Sequence, residues 1–131
     1  MINCENEVYT KIFEVLKNKF TNINISNKYI STPSSFPHVS IIQSDNSVIP
    51  NYTTTISEMS QVMFEINIYS NKTLDNKEEC EHIATLIDEV LFFMNFRRMT
   101  MSPVPNMEDT KVYRIVARYR TATDGNYFYR R

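Results

Sequence analysis

A chain of 131 residues, 42% apolar and 22% charged, lies in the ordinary globular range; the length predicts one domain spanning residues 1–131 whose core needs neither disulfide nor metal. A net charge of −1 argues against a dedicated nucleic-acid binder, and a single glycine cannot build a P-loop or a dinucleotide fingerprint. No apolar run approaches the roughly 18 residues that cross a bilayer. The start Met1-Ile2-Asn3-Cys4-Glu5 lacks the basic and apolar pattern of an export signal, so Cys4 and Cys80, which form no CxxC pair, read as reduced thiols of a cytosolic product.

Val8, Ile12, Val15, Leu16 and Lys19 recur at helical spacing, with Phe13 and Phe20 widening the apolar stripe, which predicts a helix over about residues 4–20. Asn3 is the expected N-cap, and Glu5 and Glu7 sit where carboxylates favour the helix dipole. Residues 22–37 are polar connection with room for a short strand around Ile23–Ser26. Val39 to Ser44 alternates as a strand that Asp45-Asn46-Ser47 should stop. Residues 45–60 are too long for a tight hairpin and read either as an extended arm carrying Ile49, Tyr52 and Ile56 or as a surface loop.

The strongest alternation follows. In Gln61–Tyr69, Val62, Phe64, Ile66 and Ile68 share one face, while Gln61, Met63, Glu65, Asn67 and Tyr69 share the other. Asp75 to Glu78 reads as a capping box before a helical stripe of Cys80, Ile83, Ala84, Ile87, Val90, Leu91 and Met94, ending at Asn95, a residue that tolerates the left-handed conformation. Phe96–Met101 and Lys111–Thr123 read as strands, and Asp124-Gly125 turns the chain so that Tyr127-Phe128-Tyr129 pairs back. The order α-β-β-α-β-β-β predicts an α+β fold, a mostly antiparallel sheet with two helices on one face.

Charge divides unevenly along the chain. Residues 1–96 hold six Lys and no Arg against twelve acids, a net −6, whereas residues 97–131 hold seven Arg and one Lys against three acids, a net +5. Such asymmetry points to complementary faces that meet within or between subunits, or to a surface turned toward a polyanion. On the last long strand, Arg114, Arg118 and Arg120 share a face with Val112 and Val116; they read either as a solubilising surface paired to cross-strand acids such as Glu65 or as an interface.

Chemistry of the catalytic kind is not announced. His38 and His82 are the two histidines, and neither stands beside a nucleophile on a strained turn. Cys80 and His82, two apart on a helix, point to different faces, so they read as core thiol and solvent imidazole; Glu78, Glu79, Glu81, Asp88 and Glu89 read as a solvated helix face. No catalytic, cofactor or metal residue is assigned.

Four phrases in order, Phe64-Glu65-Ile66-Asn67-Ile68-Tyr69-Ser70-Asn71 before a helix, Phe96-Arg97-Arg98, Pro103-Val104-Pro105-Asn106 and Tyr113-Arg114-Ile115-Val116-Ala117-Arg118-Tyr119, resemble phage tail-terminator proteins, also called tail-completion or head-to-tail joining proteins. The resemblance runs from about residue 60 to the end. It implies a non-enzymatic virion subunit, assembled in the host cytoplasm into a ring, typically hexameric, that caps the tail tube at the neck of a phage or of a tail-like bacteriocin. The implied partners are other copies of the chain, the tail tube protein, a neck or head-completion protein, the sheath protein of a contractile tail, and DNA passing through the lumen; no cofactor is implied. In such a ring Arg97, Arg98, Arg114, Arg118 and Arg120 are expected at the lumen or a subunit interface, and Ile49, Tyr52 and Ile56 on an arm that reaches a neighbour or the tube. A head-closure or adaptor protein is the nearest alternative. A small nucleic-acid-binding protein using Arg114, Arg118, Arg120, Tyr127 and Tyr129 is the alternative from another class.

Overall fold

The period-two run at residues 61–69 forms the centre of the sheet. In the computed structural model, which describes residues 1–30, 32–49, 58–105 and 111–130, the elements are α1 (Glu5–Lys19), β1 (Asn24–Ser26), β2 (His38–Val48), β3 (Ser60–Ser70), α2 (Asn76–Phe93), β4 (Arg97–Pro103), β5 (Tyr113–Thr123) and β6 (Phe128–Tyr129). The fold is α+β in the expected order, with the short strand of the first connection present as β1. The strands lie in the order β1-β2-β3-β5-β4, with β6 also pairing to β5. Only β1 and β2 run parallel; every other described pairing is antiparallel.

Alternation explains the core. Val62, Phe64, Ile66 and Ile68 of β3 lie in register with Thr121, Tyr119, Ala117 and Ile115 of β5, and all eight are buried on the side that carries the helices. Val39 and Ile41 extend this layer across β2. α1 contributes Val8, Ile12 and Leu16, spaced four apart, and α2 contributes Cys80, Ile83, Ala84, Ile87 and Leu91. Truncating any large member of such a layer removes transfer energy and leaves a cavity. Both thiols are free and buried, and desolvation pushes Cys4 up to about 11 and Cys80 up to about 12, so neither is a reactive thiolate at neutral pH.

Four local expectations change. Asp45-Asn46-Ser47 does not stop β2: a bulge between Gln43 and Asp45 lets the strand continue to Val48, paired with β3 as far as Ser60. Asn46, which this register turns to the helix side, donates through Nδ2 to the Ile2 carbonyl at 2.8 Å, so its amide is satisfied there. The N-cap position of α1 is Cys4, while Asn3 Oδ1 accepts the Glu5 N–H at 3.2 Å from one residue earlier. Asp75 occupies the N-cap of α2 with no side-chain cap bond, so the box expected with Glu78 does not close, while the next residue, Glu79, reaches back to Ser70 and Lys72. Phe13 lies outside the core; it stacks on Tyr9 at 5.9 Å with the Lys17 ammonium over its ring.

At the other end of α2, Asn95 adopts φ 66° as expected, and Phe96 N–H bonds back to Leu91. Asn95 also donates through Nδ2 to the Phe128 carbonyl at 3.0 Å and accepts the Thr121 hydroxyl on its own carbonyl at 2.7 Å. One left-handed residue thereby ties α2, β5 and β6 together.

Candidate interaction surface

The same alternation that buries Ile115, Ala117 and Tyr119 turns Arg114, Val116, Arg118 and Arg120 to the opposite side of β5, which no helix covers among the described residues. Register then chooses their neighbours. Tyr69 stands opposite Arg114, Asn67 opposite Val116, Glu65 opposite Arg118, and Met63 opposite Arg120 on β3; Ile42 of β2 stands opposite Glu65. From β4, Arg97 stands opposite Arg120 and Thr100 opposite Arg118.

These side chains form a connected ladder. Arg114 donates through Nε and Nη2 to Asn67 Oδ1 at 3.1 and 2.7 Å; Asn67 Nδ2 donates to Glu65 Oε2 at 3.1 Å; and Glu65 Oε1 pairs with Arg118 Nη2 at 2.8 Å. The Arg114 guanidinium also lies 5.6 Å from the Tyr69 ring and 5.9 Å from that of Tyr29, so it is held in a fixed orientation by two aromatic faces and an amide. Burial raises the Tyr69 phenol above its ordinary value, with Arg114 opposing, and its hydroxyl has no partner among the described residues. Arg120 Nε is likewise buried without a partner there. The Arg118 pairing realises the cross-strand reading of this strand.

Beside Tyr69 lies a cluster that local sequence patterns did not reveal. His38 Nε2 is 3.1 Å from Ser26 Oγ, which is 3.1 Å from the Lys28 carbonyl; Ser40 Oγ donates to the same carbonyl at 2.9 Å. One proton arrangement satisfies the set: His38 donates to Ser26, and Ser26 donates to Lys28. These contacts pin β1 and Lys28 to the sheet. Burial lowers the His38 pKa, which favours the neutral form of the ring.

Of the five arginines singled out in the sequence, Arg97, Arg114, Arg118 and Arg120 share the face turned away from the helices, where Asn67, Tyr69 and Val116 are themselves buried. Arg98 points to the helix side, opposite Tyr119, and its guanidinium lies 3.4 Å from Asp88, which also accepts the Tyr119 hydroxyl at 2.9 Å. Ile49 continues the β2–β3 pairing, its N–H bonded to the Met59 carbonyl at 2.8 Å. Tyr52 and Ile56 lie outside the described residues. Tyr129 is in register with Ala122 and so shares the arginine face, whereas Tyr127 does not.

The helix side presents different chemistry. α2 carries Glu78, Glu79, Glu81, Asp88 and Glu89 against Lys77, a net charge of −4. Glu79 is taken by Ser70 at 2.6 Å and Lys72 at 3.1 Å, and Asp88 by Tyr119 and Arg98, but Glu78, Glu81 and Glu89 are exposed and have no ion pair among the described residues. At the end of the helix Phe92 and Phe93 are exposed, Phe93 by 82%, with the Arg130 guanidinium 4.1 Å over the Phe92 ring. Beside them Glu7, Thr10, Lys11, Phe93, Asn95 and Tyr127 border a groove of about 610 Å³. Both phenylalanines follow Leu91 directly, off the buried stripe, and that phase was the available signal for their exposure.

No family model and no curated protein matches this sequence. Among solved structures, the fold is similar to that of a chain from the virion of a native gene transfer agent particle, with a TM-score of 0.62 at 13% identity, over 86% of this chain and 88% of that one.

Proposed function

We propose that the chain is a non-enzymatic virion subunit that forms a ring, hexameric by resemblance, closing the tail tube where it meets the head. The observation that carries this reading is the placement of opposite charge on opposite sides of one sheet: Arg97, Arg114, Arg118 and Arg120 on the face turned away from the helices, and the net −4 of α2 on the other layer. A subunit with complementary, non-identical faces associates head to tail, and head-to-tail contact closes into a ring when the rotation per subunit divides the circle. A fold similar to that of a virion chain supports the same reading, as do the tail-terminator phrases between Phe64 and Tyr119. The partners that follow are the tail tube protein, a neck or head-completion protein, the sheath protein in a contractile particle, and DNA that passes without sequence-specific contact; the arginine face serves either the lumen or a neighbouring subunit, and Ile49, Tyr52 and Ile56 belong to the segment proposed to reach a neighbour or the tube.

The test is negative-stain electron microscopy of the purified protein mixed with tubes assembled from the cognate tube subunit, with tubes alone as control. Rings at tube ends and arrested growth are expected. Tubes that grow on unaltered while the protein binds portal complexes point to the adaptor reading; salt-sensitive retention of free DNA points to a nucleic-acid-binding protein.

A further inference from the structure

We infer that the arginine face is the docking surface for a second copy of this chain, and that the segment docking on it is the outer stripe of α2, Glu78, Glu81 and Glu89 with Phe92 and Phe93 at its end. This rests on the ring reading and chooses between the two roles left to the arginines there. Spacing supports the match. Glu81 and Glu89 are separated by about 12 Å along a helix at about 1.5 Å per residue, and Arg114 and Arg118 by about 13 Å along a strand at about 3.3 Å per residue. Both stripes are straight, both are of one dominant sign, and they lie on opposite layers of the subunit, as a head-to-tail contact requires.

The composition of the arginine face favours a protein partner over DNA. Ile42 on β2 and Met63 on β3 are half-buried beside the arginine strand and Val116 is buried between Arg114 and Arg118, so this side of the sheet mixes Arg with Met and aliphatic residues, the composition of interface centres. Glu65 sits in the middle of it, paired to Arg118 at 2.8 Å, so the face is a set of separate cationic points and not an unbroken basic track of the kind a phosphate backbone follows. Arg114 is already ordered by Asn67, Tyr29 and Tyr69, so its side-chain entropy is largely lost before any partner arrives. Across the contact, Glu78, Glu81 and Glu89 are the acids of α2 with no ion pair among the described residues. The exposed Phe92 and Phe93 provide the desolvated anchor that a charge-only contact would lack.

Two charge-reversal variants test the pairing. One carries Glu81→Lys with Glu89→Lys; the other carries Arg118→Glu with Arg120→Glu. Sedimentation at low ionic strength over a wide concentration range is expected to show self-association of the wild type, loss of it in each variant alone, and recovery in their equimolar mixture, where each reversed stripe meets a complementary one. Recovery in the mixture also demonstrates that both variants are folded. Self-association that persists undiminished in both separate variants overturns the proposal, as does a wild type that stays monomeric throughout. Retention of a linear duplex by the wild type that is lost in the Arg118→Glu, Arg120→Glu variant and kept in the other assigns the face to DNA and overturns it too. Tube capping that survives in both variants sinks this pairing while leaving the ring function standing; self-association through these faces without tube capping does the opposite.

Discussion

The two sides of β3 and β5 are made by alternate residues of the same strands, yet they hold the protein together in different ways. On the helix side Phe64, Ile66, Ile68, Ala117 and Tyr119 are buried among other apolar groups, and their contribution is area removed from water and close packing. On the other side Glu65, Asn67, Arg114 and Arg118 are joined by hydrogen bonds and one ion pair, with Asn67 buried, Glu65 and Arg114 half-buried and Arg118 exposed. Stability belongs chiefly to the first side, and the second is where we propose that recognition takes place. On that proposal the chain can change what it binds without changing whether it folds, because a strand separates the two tasks by one residue.

Substitutions on the two sides should therefore fail differently. Phe64→Ala, which removes a fully buried ring packed at 5.7 Å against Phe96, is expected to cost about 4 kcal/mol, read from a denaturant midpoint. A loss under about 1 kcal/mol would mean the core repacks freely and the contrast between the faces is weaker than described. Asn95→Ala should come next, at about 1–2 kcal/mol, because alanine must hold the left-handed conformation at φ 66° and the bond to Phe128 is lost. Arg118→Ala should cost under about 1 kcal/mol of stability, since the pair with Glu65 is half exposed, while weakening self-association. Equal loss of both properties would erase the distinction.

The smallest expected effect is a pH slope. His38 is neutral in the fold with a lowered pKa, so the unfolded chain binds the extra proton first. Stability is then full above the ordinary histidine range and declines as pH falls through it toward the lower folded value. His38→Gln should flatten that decline in thermal melts between about pH 7 and 5. A wild-type curve already flat there would show that His38 is not held neutral.

Much of this architecture was legible because it is periodic. The two-residue period of residues 61–69 and the helical stripe from Cys80 to Leu91 describe surfaces that face water or do not, and burial follows that division. Asn95 was legible for a local reason, the tolerance of asparagine for positive φ. The extension of β2 through Asp45-Asn46-Ser47 was not, since a bulge and a partner strand override the turn preference of those residues. Nor was the Ser26–His38–Ser40 cluster, which exists because β1 pairs parallel to β2 across a polar connection. Adjacent Arg97 and Arg98 look like one basic site in the sequence; strand alternation sends them to opposite sides. Cross-strand pairing of Arg118 with Glu65 could be anticipated from residue type, whereas the hold of Asn67 on Arg114 depends on a register that only the folded sheet supplies.

The rims of the sheet carry a further consequence. β1 is three residues long, and β4 has an irregularity between Arg98 and Thr100 and ends on Pro103, which offers no backbone N–H. Short, bulged or proline-bearing outer strands are poor templates for another chain to add to. Main-chain addition at β1 and β4 is thereby discouraged, and the outer side of β2 beyond Ser40, which has no pairing among the described residues, is broken by the bulge between Gln43 and Asp45; the contact we propose between copies falls to side chains, where geometry can set a count.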